Sequence, residues 1–394
     1  MTSKMPLRLT TRGRAARLST ALGAAAALAL AGSAAAQQGN LTAPPSGGNQ
    51  RATVNQGIGM VNVSIDYSSP HVHSPSGEDR RGKIWGQLVP YGMSNLGFGT
   101  CGDQCPWRGG ANENTVFTTS HDIKVQGQPL PAGSYGLHFL PGKEEWTVVF
   151  SKDSTSWGSF FYDSKNDALR VQAKPAKSEY HEDLTYEFRD RRGDHATAVL
   201  RWEDLELPLA ISVESPNELY YQAMRRELRN SIGFSAANWS AFAQFCLTNK
   251  IHLDEGLRAA ERSVGQQIGQ EDFGNLITLA DLQEANNLAA DSKQTRDRAL
   301  HHPTATATQL HFYGRRLMAQ KKNAEAMEIF ELNAKVHPDT WPVHVGLARG
   351  HSALGHYQEA LAEAKLALPQ APDEGNRRTV QGMIDKLSQG KDAN

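Results

Sequence analysis

Two polar clusters in the first half of this 394-residue chain have residue types and spacings that could do chemistry. His71 and His73 stand two apart, so an extended backbone turns both imidazoles to one side. There they could share a divalent metal, with His138 as a further ligand and Glu78 or Glu113 as carboxylate. Such a site would activate water, with Glu113 as general base, and the protein would be a metal-assisted hydrolase. Against this, Pro70 and Pro75 bracket the pair as in an exposed loop, and no spacing dictates a third ligand. The second cluster is Arg108, Asn112 and Glu113 around the Gly109-Gly110 pair. Arg108 can fork onto a carboxylate, and Asn112 with Glu113 can orient a small polar or glycan-like ligand. The plainer alternative is that Glu113 pairs with Arg108 while Asn112 and the glycines hold a tight loop.

The cysteines are read through the compartment. Residues 1–36 have the layout of a secretory signal: basic Lys4, Arg8, Arg12, Arg14 and Arg17, an apolar run from Leu18 to Ala31, then small residues ending at Ala36. That run is too short for a membrane span, which predicts an exported protein, periplasmic or extracellular, without a membrane anchor. In an oxidising compartment Cys101 and Cys105, close together in a Gly-rich loop, favour a local disulfide. A zinc half-site is the alternative, but no second cysteine pair completes a four-thiolate cage. Cys246, between Phe245 and Leu247, reads as a small apolar core residue.

The elements that must position these groups fall into two blocks. Residues 37–58 are rich in Gln, Gly, Pro and Asn and read as a disordered leader. Over 59–214 the apolar period is mostly two, as in Val61-x-Val63-x-Ile65-x-Tyr67 and Tyr135-x-Leu137-x-Phe139. Further short strands are expected at Trp146 to Phe150, Trp157 to Tyr162, Leu184 to Phe188, Ala196 to Trp202 and Leu207 to Val213. Short strands without long helices predict an antiparallel all-β sandwich or barrel-like domain. The aromatics Trp146, Trp157, Phe160, Phe161 and Tyr162 could stack on a sugar, but at strand spacing they read as core.

At Ser215-Pro216-Asn217-Glu218 the period changes, and a helix start with a capping box is expected. Residues 215–390 then carry a repeat: Glu325, Ala326 and Pro338 recur as Glu359, Ala360 and Pro372, each 34 residues on. That is the tetratricopeptide period, so three to four stacked helical hairpins are predicted, with a degenerate unit around Leu276 to Ala299. Such an array contacts a protein or peptide, or braces the domain before it.

Composition excludes several classes. Lys and Arg total 41 against 42 Asp and Glu, and without the first 36 residues the balance is acidic, opposite to a general nucleic-acid binder. No Gly-rich nucleotide cradle, Gly-x-Ser-x-Gly elbow or His-Glu-x-x-His helix occurs, and apart from the metal considered above no cofactor is indicated.

Five segments together resemble one family: Gly86 to Gly92, Trp107-Arg108-x-Gly110-Ala111-Asn112-Glu113, Leu130 to Leu137, Glu145 to Phe150, and Trp157-Gly158. They are similar to the exported bacterial family catalogued as domain of unknown function 2911, over about residues 60–213, whose members resembling this chain also carry C-terminal tetratricopeptide-like repeats. The resemblance implies an exported, mostly β domain, makes Trp107 to Glu113 a family hallmark, and brings no activity. This chain departs from the pattern by inserting Ser94 to Pro106 before Trp107. The function expected is an exported, non-enzymatic ligand-binding or scaffold module whose helical repeats engage a protein, with an envelope hydrolase as the alternative.

Overall fold

A computed structural model describes residues 46–265 and 267–394, so the signal segment and the leader up to residue 45 lie outside the described residues. The chain divides into two compact units. The first carries the strands: β1 (Gln50–Ile58), β2 (Val61–Ser69), β3 (Val116–Thr119), β4 (Ile123–Val125), β5 (Gln128–Leu130), β6 (Gly133–Leu140), β7 (Trp146–Ser151), β8 (Asp167–Ala173), β9 (Ala176–Arg189) and β10 (His195–Ser212). They form two antiparallel sheets, one ordered β1-β2-β3-β6-β7-β8 and the other β5-β4-β10-β9.

Alternation decides which residues enter the core. On β2, Val61, Val63, Ile65 and Tyr67 are buried, one on every second position. The core is aromatic: Trp85 sits 5.1 Å from Trp146, 5.7 Å from Trp107 and 5.8 Å from Trp202, each edge to face, while Trp107 and Trp202 lie nearly parallel at 6.2 Å. Each such pair adds about 0.5–1.5 kcal/mol beyond its burial.

Three expectations are corrected here. Residues 50–58 are not leader but edge strand β1, paired to β2. Its inward positions Ala52, Val54 and Gln56 are only half-buried, so the strand carries little apolar signal. Ala196 to Trp202 and Leu207 to Val213 are not two strands, because β10 runs through both over a bulge at Glu203, whose φ of 56° places it in the left-handed region. Residues 157–162 form turns rather than a strand, with Gly158 at φ +55° and so near Arg108 that a Cβ there would lie 2.4 Å from the guanidinium. Trp157 and Phe161 are consequently exposed, and of that group only Trp146 and Tyr162 join the core.

The second unit carries the helices: α1 (Pro216–Glu227), α2 (Ala236–Asn249), α3 (Leu253–Val264), α4 (Phe273–Ala285), α5 (Ala289–Leu300), α6 (Ala307–Ala319), α7 (Asn323–Val336), α8 (Trp341–Ala353), α9 (Tyr357–Ala367) and α10 (Glu374–Leu387). Helices α2 to α9 form four hairpins. The turn residues Asn287, Lys321 and Gly355, all at positive φ, recur every 34 residues, so the repeat is written in backbone conformation as well as in apolar positions. Pro216 opens α1, but Ser215 makes no side-chain cap and the expected capping box is absent. Glu218 instead accepts from His252 Nε2 at 2.7 Å and from Gln222 at 2.7 Å. A capping box does close at Thr306 and Gln309, ahead of α6. Cys246 is buried against Phe242 and Ala243, and burial pushes its thiol up to about 11, so it behaves as an apolar residue.

Candidate functional site

The segment Trp107 to Glu113 is pinned from both sides. Trp107 exchanges backbone hydrogen bonds with Phe139 of β6, at 2.8 Å in each direction. The Gly109 carbonyl accepts from the buried Tyr186 hydroxyl at 2.7 Å, and the Ala111 amide donates to Ser68 at 3.0 Å. Gly110 passes so close to β2 that a Cβ would lie 2.9 Å from the Ser68 carbonyl oxygen. Between these fixed points Arg108 has little freedom.

The pinned segment forms one side of a cleft of about 330 Å³. Trp107, half-buried, is its exposed aromatic side chain with the buried Trp202 behind it, and Arg108, Arg80, His71 and His73 line it as well. The inserted residues build a further wall with Ser94, Leu96 and Pro106. The Cys101–Cys105 bond and the reciprocal backbone hydrogen bonds between Ser94 and Cys105, at 3.0 and 3.1 Å, hold that insertion in shape.

Each candidate residue has a definite place. His71 and His73 do face one way, with Val72 buried between them. Their Nδ1 atoms, however, meet carboxylates: Asp183 at 2.5 Å and Glu182 at 2.9 Å. Burial pushes the Glu182 carboxyl up, but the Tyr180 hydroxyl and the His73 amide and ring outweigh this and hold it down at about 2. Arg80 donates to the carbonyls of His71 and Val72, at 2.8 and 2.9 Å, and so holds this segment.

His138 does not join them. It is 2% exposed, its Nδ1 lies 3.1 Å from the Ser159 hydroxyl, and its ring packs edge-on to Tyr162. Among the described residues, no group of three or more His, Cys, Asp or Glu stands where it could hold a metal ion. Glu78 pairs with Lys83 at 3.3 Å. Burial raises the Glu113 carboxyl, but its own amide, the Ser68 hydroxyl at 3.0 Å and the Arg51 guanidinium more than offset this. Held below its ordinary range, Glu113 is a poor general base near neutral pH.

The expected pairing of Glu113 with Arg108 is also absent. Asn112, at φ 56°, directs its side chain to Ser46 and Asn49, at 3.1 and 3.3 Å, and its carbonyl accepts from Arg108 Nη1 at 2.6 Å. Asn112 and Glu113 are therefore engaged internally. Arg108 is different: half-buried, over the Phe160 ring at 4.9 Å, it forms no ion pair among the described residues. Desolvation lowers its pKa with no carboxylate to oppose it.

The charge on Arg108 also acts on His138. Burial first, and then the Arg108 charge, depress the His138 imidazole from 6.5 to about 4. The unfolded chain therefore takes up this proton before the folded one does, and stability is lost as pH falls from about 6.5 to about 4, by at most about 1.4 kcal/mol per pH unit from this group. In His138→Gln, denaturant midpoints measured across that window should fall less steeply than in the parent protein.

Sequence reading missed the tryptophan cluster. Its signal was present, because Trp146 and Trp202 occupy inward positions of strands. Trp85 and Trp107 lie in loops, where periodicity has no reading frame.

No curated protein matches this chain. Two solved structures are similar to its helical part. YrrB, described as a TPR protein with an unusual peptide-binding site, is 11% identical, covers 44% of this chain and 87% of its own, and gives a TM-score of 0.27. MamA of AMB-1 is 14% identical, covers 39% of this chain and 83% of its own, and gives a TM-score of 0.26. Every cleft residue except Gly47 falls within residues 49–211, and that stretch matches the model of the family described as Protein of unknown function (DUF2911).

Proposed function

We propose that this is an exported, non-enzymatic binding and scaffold module, in which the β domain holds a small anionic, glycan-like ligand at Arg108 and the helical array contacts a protein. One observation carries the ligand reading: Arg108, half-buried and without a carboxylate partner among the described residues, lines a cleft that its neighbour Trp107 also lines. A buried charge is retained at a cost unless something neutralises it. A carboxylate presented by a ligand would accept a forked pair of hydrogen bonds, while Trp107, backed by the buried Trp202, would cover the apolar face of a sugar ring. The cleft, about 330 Å³, suits a molecule of one or two rings. Export is supported by the signal-like residues 1–36 and by the Cys101–Cys105 bond, which belongs to an oxidising compartment. Among the described residues no helix is long and apolar enough to cross a membrane.

The test is thermal unfolding of the protein with glucuronate or with glucose at equal concentration. Glucuronate at a hundredfold excess over its Kd should add about 2.7 kcal/mol, and glucose much less. Arg108→Met should stay folded, at a cost of about 1 kcal/mol for the lost bond to the Asn112 carbonyl, and lose the glucuronate shift. Equal shifts from both sugars, or a glucuronate shift that survives Arg108→Met, would overturn the reading.

A further inference from the structure

The helical unit has a groove of its own, unrelated to the cleft. It measures about 590 Å³ and is walled by α1, α2 and α3. Five arginines line it: Arg225, Arg226 and Arg229 from α1 and the residues just after it, and Arg258 and Arg262 from α3. Glu255 is the one carboxylate in the lining, and its floor is apolar, made by Leu228, Trp239, Phe242 and Ala259.

The internal pairing leaves most of this charge unmatched. Arg225 meets Glu255 at 3.1 Å, and Arg258 reaches Asp254 at 3.0 Å and Glu255 at 3.8 Å. Arg262 lies over the Trp239 ring at 4.5 Å, which fixes its guanidinium at the groove without neutralising it. Arg226 and Arg229 are exposed and form no ion pair among the described residues. With Arg225 and Arg258 paired to Glu255 and Asp254, Arg226, Arg229 and Arg262 remain as three unmatched cations on one concave surface, a field that favours an anionic occupant.

We infer that this groove binds an acidic peptide segment of a partner protein, one in which Asp or Glu residues alternate with apolar side chains. The inference rests on the reading that the array contacts a protein, and names where and by what chemistry. Guanidinium groups form forked hydrogen bonds with carboxylates, and the Trp239 and Phe242 surfaces accept apolar side chains. The apolar floor favours a peptide over a polyphosphate or a nucleic acid, which would leave it uncovered. The acidic balance of residues 37–394 also opposes a long polyanion.

The experiment uses the full exported chain against an immobilised library of ten-residue peptides of graded Asp and Glu content. The expected result is selection of acidic peptides that carry apolar residues. Affinity for the selected peptides should fall by about tenfold or more in Arg226→Ala/Arg229→Ala, and fall with added salt. Both side chains are exposed and outside ion pairs, so the variant should keep the parent Tm. Arg229→Glu should lose binding as well. Selection without acidic enrichment, or acidic selection unchanged in both variants, overturns the groove while leaving an array that binds protein elsewhere. A single-stranded oligonucleotide that displaces the peptides at lower concentration overturns the peptide in favour of a polyanion. Failure of every peptide in the library overturns the groove and the protein-contact reading together.

Discussion

Replacing Phe330 by alanine is expected to lower the stability of the helical array by about 3–5 kcal/mol, read as an earlier loss of helical circular dichroism in urea. Phe330 on α7 is fully buried in a cluster with Leu310, Tyr313 and Leu317. Its ring is held by residues without side chains: a Cβ at Gly314 would lie 2.4 Å from it, one at Gly346 2.7 Å, and one at Gly350 2.9 Å. Glycines cannot lean into the space the ring leaves, so the cavity cannot collapse and the cost belongs at the upper end of the range. The same geometry makes a second, sharper statement. Gly314→Ala alone should destabilise by overpacking, but combined with Phe330→Ala it should refill part of the cavity. The double mutant should then be more stable than the sum of the single effects by about 0.5–3 kcal/mol.

Gly109→Ala is expected to cost about 2–5 kcal/mol and to remove ligand binding in the β domain. Two penalties act at one position. The residue sits at φ +66°, where a side chain is strained, and its Cβ would meet Phe139 at 2.4 Å and the Tyr186 hydroxyl at 2.7 Å. Relief requires the loop to lift, which breaks the bond from Tyr186 to the Gly109 carbonyl and moves Trp107 and Arg108 away from the cleft. A urea midpoint lowered together with loss of the glucuronate shift is the expected pair of results. A variant with parental stability and parental binding would show that the segment is not pinned as described.

Local physics was legible in the sequence and convergence was not. The 34-residue recurrence of Ala326 as Ala360 and the change of period at Ser215 gave the helical array and its beginning, because helix packing repeats the same small residue at each contact. Alternation gave β2, with one face buried, and β6, whose apolar residues alternate although Tyr135 to Phe139 are all buried. It lost β1, an edge strand with little to bury, and it split β10 at Glu203-Asp204, where a bulge interrupts the alternation. The metal cluster was the least legible feature. His71 and His73 satisfied the local geometry, but whether His138 meets them depends on sheet order, and it lies instead beside Ser159 and Tyr162. Arg108 lies on a loop, as its glycine neighbours suggest, but the alternative pairing with Glu113 is not formed: Glu113 turns to Ser68 and Arg51. The arginines of the helical groove were readable in principle. Arg258 and Arg262 stand four apart on one helix face, and Arg225 and Arg226 end α1 just ahead of Arg229, but nothing in the sequence places the two groups together.

The most direct test of the cleft is a titration of isotope-labelled protein with glucuronate, followed at the indole resonances of its seven tryptophans. If Arg108 anchors a carboxylate in the cleft, the resonances of Trp107 and Trp202 move in a saturable way, those of Trp239 and Trp341 in the array stay in place, and Arg108→Met abolishes the movement. Resonances that stay fixed throughout, that move equally with glucose, or that move at Trp239 alone would contradict a ligand site at Arg108.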